Sequence, residues 1–255
     1  MNQSQRFDLT NKVAIITGAS KGIGEAIAYS YGKAGAKVVI SSRKLEAVEE
    51  VARKFRAEGI EVLALACHMG DMKQIETLIE KTVEIYGGVD IVVNNAVTNP
   101  IFGPVLQADL NAFDKMMAVN VKGPMYLCQL AQPLMRKRGG GSIINISSVA
   151  GLSPEQGLGI YSVTKASLNM MTKVMAKEWG SENIRVNAIC PGVIKTKFSQ
   201  ALTDNEYISK ELLKQQPIQH FGEPNHVADT ALLLASEAGS YFTGSMVTVD
   251  GGLTI

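Results

Sequence analysis

Two hydrophobic periods alternate along the chain. Short β-branched or apolar runs occur at 13–17 (VAIIT), 37–41 (KVVIS), 61–66 (EVLALA), 90–94 (DIVVN), 142–147 (SIINIS), 184–190 (IRVNAIC) and 245–250 (SMVTVD). Each is mostly apolar on both faces, as a strand must be when a parallel sheet is covered on both sides. Between them, apolar residues recur every three or four positions, as in Leu45, Val48, Ala52 and Phe55, and again in Ile75, Leu78, Ile79, Thr82 and Tyr86. Gly59 and the pair Gly87-Gly88 follow these two segments and suit helix ends. Strand, helix and strand repeated in this way predict right-handed crossovers and a doubly wound α/β sheet of about seven parallel strands, with helices on both faces. No linker, repeat or low-complexity tract divides residues 1–255, so a single domain is expected. The least regular stretch, 192–224, follows the sixth run and carries Pro217, Gly222 and Pro224. It predicts a mobile lid at about 193–223 bordering a ligand crevice at the carboxyl ends of the strands.

Composition narrows the classes. With 46% hydrophobic residues in 255, the chain can bury a sizeable core. Its 25 basic against 24 acidic residues leave a formal charge of +1, without the basic excess of a nucleic-acid binder. No apolar stretch approaches the length of a membrane span, and the opening MNQSQRFDLTNK resembles neither a signal peptide nor a transit segment. Cys67, Cys128 and Cys190 are widely spaced, and they read as reduced, buried thiols rather than metal ligands. His68, His220 and His226 also lack metal-ligand spacing, so no metal is expected. A cytoplasmic globular protein is the expectation.

Immediately after the first strand run come Gly18, Ser20, Lys21, Gly22, Ile23 and Gly24, followed by a helix-like segment. Glycines at such a turn permit a tight bend, close approach to phosphate and close helix–strand packing. The helix N-terminus then offers N–H groups and a positive dipole end to a pyrophosphate, the design of a Rossmann-type domain. A glycine turn alone also serves merely to punctuate a strand; here the required strand and helix flank it. The second strand run continues into Ser41, Ser42, Arg43 and Lys44 without the acid that would hold a ribose 2′-OH. Arg43, helped by Lys21, predicts instead a 2′-phosphate and hence NADP(H) rather than NAD(H). The simpler reading of Arg43 as a solvated helix-opening residue is disfavoured, because a cation opposes the dipole there.

Tyr161 and Lys165 are four apart on a helical segment, which puts them on one face. A nearby ammonium favours the phenolate and lowers the tyrosine pKa. Ser148 follows the fifth strand run, at the sheet edge where ligands bind, and its hydroxyl can position a substrate carbonyl. By spacing alone such a Tyr/Lys pair is ordinary surface decoration. Neither a Gly-x-Ser-x-Gly elbow nor a His-Glu-x-x-His pair is present.

Together, Thr17-Gly-Ala-Ser-Lys-Gly-Ile-Gly24, Asn94-Asn95-Ala96, Asn120, Ser148, Tyr161-Ser-Val-Thr-Lys165 and Pro191-Gly192 resemble the short-chain dehydrogenase/reductase family, in the right order and from about residue 10 onward. The resemblance implies that Tyr161 is the general acid in carbonyl reduction, with Lys165 lowering its pKa and holding the nicotinamide ribose. It implies that Ser148 orients the substrate oxygen, and that Asn120 interrupts its helix and holds a relay water. Asn95 and Ala96 would line the cofactor, and Pro191, Gly192, Ile194 and Thr196 would contact the nicotinamide end. It further implies a homotetramer, packed through helices around 109–136 and 159–180 and through Tyr241 to Ile255. Leu168, Met171, Val174 and Met175 are the candidate interface residues on the second helix.

Two departures stand out. Val97 replaces the glycine of most relatives, and His68 replaces an Asp that accepts from the adenine amino group. A neutral imidazole accepting through one nitrogen, or the Met69 N–H, are the replacements on offer. The segments SSRK, CHMG and NNAVTNP resemble the peroxisomal NADP(H)-dependent carbonyl reductase branch, although the ending Gly-Leu-Thr-Ile lacks a Ser-Lys-Leu signal. The resemblance thus implies reduction of a ketone or aldehyde to an alcohol. Phe198, Leu202, Tyr207, Ile208, Leu212 and Leu213 in the lid, with Val97 and Leu158, predict an apolar pocket for that substrate. Lys195, Lys197 and Lys210 keep open a 3-oxoacyl thioester substrate. A catalytically silent nucleotide-binding module is the third reading, and Ser148, Tyr161 and Lys165 argue against it.

Overall fold

Val13–Thr17 (β1) is buried along its whole length, as its unbroken apolar run requires, and it lies inside a parallel sheet. A computed structural model describes residues 3–100 and 102–255, apart from the side chains of Gln3, Ser4 and Ala201. Met1, Asn2 and Ile101, which the single-domain reading and the leader reading also span, lie outside the described residues. The remaining strands are Lys37–Ser42 (β2), Val62–Ala66 (β3), Ile91–Asn94 (β4), Gly141–Ile146 (β5), Ile184–Pro191 (β6) and Met246–Val249 (β7). All pair in parallel in the order β3-β2-β1-β4-β5-β6-β7, so the expected seven-stranded doubly wound sheet is what forms. The order reverses between β1 and β4, and the crevice of an open sheet opens at such a point.

The intervening helices are Gly22–Lys33 (α1), Leu45–Ala57 (α2), Met72–Tyr86 (α3), Leu110–Met117 (α4), Gly123–Lys137 (α5), Gly159–Trp179 (α6), Gln200–Thr203 (α7), Glu206–Lys214 (α8) and Pro224–Ala235 (α9). Local signals set their ends. Asp71 caps α3 by accepting from the N–H groups of Lys73 and Gln74, and Gly87 ends it at φ +79. Helices α1, α2 and α9 cover one face of the sheet through residues such as Ile27, Phe55 and Val227. Helices α3, α5 and α6 cover the other through Leu78, Leu127 and Met175.

A buried amide chain joins these layers beneath the crevice. Asn94 Nδ2 donates to Asn145 Oδ1 at 2.8 Å, and Asn145 Nδ2 donates to Thr172 Oγ1 on α6 at 2.8 Å. Buried amides cost free energy unless paired, so this chain holds α6 in one position against β4 and β5. The expected interruption near Asn120 is present as a π-type turn at Ala118–Lys122, between α4 and α5. Among the described residues, no helix is long and apolar enough to cross a membrane, and no three metal-ligating side chains cluster.

Candidate active site

The glycine turn is held open by its neighbours. Gly18 and Gly22 sit at φ +66 and +64, in the left-handed region that side chains resist. Gly24 has no room for a Cβ, because the Asn95 amide nitrogen packs against it. Asn95 Nδ2 donates to the carbonyls of Thr17 and Gly18 at 2.8 and 3.0 Å. Thr17 Oγ1 accepts from the N–H groups of Asn95 and Ala96 at 3.0 and 3.1 Å. These bonds clamp the turn to the end of β4. Asn95 was expected to line the cofactor; its side chain braces the loop that would hold it.

The residues present fit a dinucleotide phosphate. Helix α1 begins at Gly22 with no side chain capping it, so its first N–H groups remain free to bind an anion. Thr196 approaches from across the crevice, and its methyl would lie 3.2 Å from a Cβ at Gly22. Lys21 and Arg43 are exposed and make no hydrogen bond or ion pair among the described residues, whereas Ser42 Oγ donates to Lys44 O at 3.0 Å. Gly192 allows close approach to Asp250, and its N–H donates to Val249 O at 3.1 Å, which fixes Pro191-Gly192 at the β6 end. One backbone bridge, Ile194 with Gly222, places Ile194 beside them. His68 Nδ1 accepts from the Gly70 N–H at 3.1 Å, so the accepting nitrogen is already engaged within its own loop.

Tyr161 and Lys165 are 8% and 3% exposed. Lys165 Nζ donates to Ile146 O at 2.7 Å and lies 5.6 Å from the Tyr161 ring centre. Ser148 lies beyond the end of β5, and its hydroxyl accepts from the Ala150 N–H at 3.1 Å. The expected lowering of the tyrosine pKa by Lys165 is not found. Burial pushes the Tyr161 phenol up to about 12, and the Ser148 hydroxyl is the group that opposes this. Burial likewise brings Lys165 down to about 8, with Cys190 pulling the other way.

Asn120 is buried, and its amide is fully engaged. Its Oδ1 accepts from the Thr98 N–H at 2.9 Å, and its Nδ2 donates to Thr98 O at 2.9 Å and to Thr164 Oγ1 at 3.2 Å. Thr164 Oγ1 in turn donates to Tyr161 O at 2.8 Å, so the π-type turn, the segment after β4 and the Tyr161 face of α6 form one unit.

Val97 and Leu158 pack with Ala150 and Tyr161 as expected, joined by Met116 and Ile160. From the lid, the Phe198 ring centre stands 6.3 Å from that of Tyr161, yet Phe198 is 57% exposed. Helix α8 fully buries none of its residues; Ile208, Leu212 and Leu213 are half-buried on it, while Tyr207 is exposed. Lys195 pairs with Glu223, Lys210 with Glu206 and Lys214 with Glu211, which leaves Lys197 as the one lid lysine without an ion pair among the described residues. A second apolar rim went unread in the sequence: Phe102, Val105, Leu106 and Leu110 follow β4 and are between 67% and 96% exposed. Phe102 and Val105 lie against Gly157 and Gly159, at the start of α6. Four large apolar residues in an irregular stretch beyond a strand's carboxyl end were the available signal.

A family model described as enoyl-(acyl carrier protein) reductase matches residues 18–254. Dehydrogenase/reductase SDR family member 4 of Oryctolagus cuniculus is 40% identical over 249 residues, which are 98% of this chain and 96% of that protein. The solved structure of a gluconate 5-dehydrogenase from Burkholderia cenocepacia, in complex with NADP and tartrate, has a TM-score of 0.95 at 32% identity, covering 99% of each chain. A 7α-hydroxysteroid dehydrogenase complexed with NADH and 7-oxo glycochenodeoxycholic acid also has a TM-score of 0.95, at 34% identity, covering 99% of this chain and 98% of that one.

Proposed function

The chain belongs to the short-chain dehydrogenase/reductase family, and from that premise we propose that it reduces a hydrophobic ketone or aldehyde to the alcohol with NADP(H). The observation that carries this reading is Tyr161: a buried phenol beside the Ser148 hydroxyl, packed with Val97 and Leu158 and facing the Phe198 ring. The cofactor supplies the hydride when bound. Gly18, Gly22, Gly24 and the start of α1 hold its phosphates, with Ser20, Ile23 and Thr196 around them. Arg43, assisted by Lys21, takes the 2′-phosphate; solved relatives with the same fold hold NADP in one case and NADH in another, so the fold does not make this choice. His68 and Met69 flank the adenine end, Ala96 the middle, and Pro191, Gly192 and Ile194 the nicotinamide end.

In the reaction, Ser148 donates to the substrate oxygen and fixes its position, while the apolar walls exclude water. Tyr161 then passes its proton to the developing alkoxide. Lys165 carries positive charge beneath the phenol and helps to return a proton to it. Asn120 holds the π-type turn at which a relay water would sit.

The direction of the pKa shifts fixes a pH dependence. A phenol raised to about 12 keeps its proton throughout the neutral range, the state needed to reduce a carbonyl. Alcohol oxidation needs the phenolate, whose fraction rises tenfold per pH unit below the pKa. Lys165, brought down to about 8, loses its charge as pH passes that value. Reduction should therefore be fastest below about pH 8 and decline above it, while oxidation climbs through about pH 9. Initial rates in both directions would show this; an oxidation rate already flat below pH 7 contradicts it.

The substrate class is tested by an NADPH-oxidation panel of ketones, aldehydes, diketones and acyl thioesters. Medium-sized hydrophobic carbonyl compounds should show higher kcat/KM than short acyl thioesters, because the walls are apolar and three of the four lid lysines are ion-paired. The matching family model is described as an enoyl-(acyl carrier protein) reductase, which shares an acyl-thioester substrate, though not a 3-oxo group, with the second reading, a 3-oxoacyl thioester reductase. An acetoacetyl thioester turning over tenfold better than every simple ketone, on the scale of about 1.4 kcal/mol, would put that reading first.

A homotetramer in the cytoplasm completes the proposal. The three buried free thiols suit a reducing compartment. On α6, Leu168 and Met175 face the sheet at 1% and 4% exposure and so cannot serve an interface, and Met171 packs partly against the core. The outward stripe is Val163, Met170 and Val174, seven and then four residues apart on one helical face. With Tyr241 and Ile255 also exposed, two apolar patches are available for two-fold contacts. Sedimentation at micromolar concentration should give a species of four chains; a monomer would end this reading.

A further inference from the structure

The loop after β3 carries a histidine, His68, whose tautomer is fixed by the hydrogen bond its ring accepts. It follows β3 directly: Cys67 N–H donates to Ser42 O at 2.8 Å, which places His68 beside the end of β2, where Ser42 and Arg43 lie. If Arg43 marks the 2′-phosphate of the adenosine ribose, the base attached to that ribose falls over the neighbouring strand end, at His68. The loop is built to hold its shape. His68 N–H donates to Gln74 Oε1 at 2.9 Å, Gln74 Nε2 donates to Asp71 Oδ2 at 2.8 Å, and Asp71 N–H donates to His68 O at 2.8 Å. The ring itself is laid over Gly70, where a Cβ would come within 2.9 Å of its Cε1.

Gly70 N–H donates to His68 Nδ1 at 3.1 Å. A ring nitrogen that accepts carries no proton, so in the neutral imidazole the proton resides on Nε2. No residue among those described takes that N–H. We propose that His68 reads the adenine end as a donor, from Nε2 to an acceptor atom of the base, and that nucleotide binding therefore does not depend on the exocyclic 6-amino group. A carboxylate at this position can only accept and must find that amino group. A donating imidazole is satisfied equally by a purine ring nitrogen or by a 6-keto oxygen. This chain is accordingly inferred to accept hypoxanthine dinucleotides as well as adenine ones, an inference that rests on nucleotide binding at the glycine turn and on nothing about the carbonyl substrate.

The test is equilibrium binding to the apo-protein, followed by fluorescence or calorimetry, of NADPH against its deamino (hypoxanthine) analogue, with NADH and deamino-NADH in parallel. For the native chain the two bases should bind within about threefold of each other. His68→Asp should restore dependence on the amino group, weakening the hypoxanthine nucleotide at least about tenfold relative to the adenine one. His68→Ala should weaken both by the same factor, with thermal melting confirming that each variant folds. A native preference for adenine above tenfold overturns the proposal, as does an Asp variant that still treats both bases alike or an Ala variant that binds both as tightly as the native chain. If none of the four nucleotides binds the native chain, the nucleotide reading of the glycine turn fails and this inference fails with it.

Discussion

Replacing Tyr161 with Phe is expected to lower turnover in carbonyl reduction at least about a hundredfold, the low end of what a positioned general acid contributes. The ring is 8% exposed and packs with Met116, Ala150, Val97 and Leu158, so Phe preserves every apolar contact and only the proton donor is lost. The main-chain carbonyl that Thr164 uses remains in place, and so the link to Asn120 survives. Cofactor affinity should consequently stay within about threefold of native, which separates loss of chemistry from loss of structure. Pre-steady-state rates with saturating cofactor measure the effect. A Phe variant with near-native turnover would transfer the acid role to another group, and Ser148 is the nearest hydroxyl available.

Arg43→Ala should weaken NADPH by roughly 1.5–3 kcal/mol, the scale of a hydrogen bond to a charged group, or about tenfold to a hundredfold and more in Kd. NADH should be little affected, since it lacks the 2′-phosphate. The argument rests on what surrounds the side chain: Arg43 is exposed and unpaired, and the end of β2 carries no acid to hold a ribose hydroxyl. Because the contact is partly solvated, raising the salt concentration should shrink the NADPH preference. Equal losses for both cofactors would mean that Arg43 supports the loop rather than the phosphate, and titration of both nucleotides decides between the two.

The sheet was legible because its residues obey one rule throughout. Runs such as VAIIT and DIVVN are apolar on both faces, and only a central parallel strand buries both. That Tyr161 and Lys165 share one buried face of α6 was legible for a similar reason: a four-residue spacing on a helix fixes which side chains meet. Other features depend on contacts between distant segments. Nothing local to Asn95 says that its amide braces the glycine turn, since both acceptors lie more than seventy residues away. The Tyr161 phenol was expected to shift downward, because spacing reveals a neighbouring ammonium but not the burial of both groups. Leu168 and Met175 were read as outward-facing, although a period of 3.6 carries them to the sheet and turns Val163 and Met170 outward. The rim at Phe102 to Leu110 escaped because irregular segments have no period from which to infer a face.

The long segment between β6 and α9 leaves and rejoins the domain through one narrow neck. Lys195 N–H donates to Gly222 O at 2.8 Å and Gly222 N–H donates to Val193 O at 3.0 Å, so its two ends are stitched together by main chain, with the Lys195–Glu223 ion pair beside them. Gly222 permits this because the Ile194 side chain occupies the space a Cβ would need. Beyond the stitch the segment contributes no strand to the sheet, and it touches the domain again where Ile218 N–H donates to Gly251 O at 3.1 Å. Doubling the length of such a segment costs only about 0.6 kcal/mol in closure entropy, and its sequence answers to the substrate rather than to the core. In evolutionary terms the neck is a splice point: segments of different length and chemistry can be exchanged above it while the hydride-transfer machinery below is inherited unchanged.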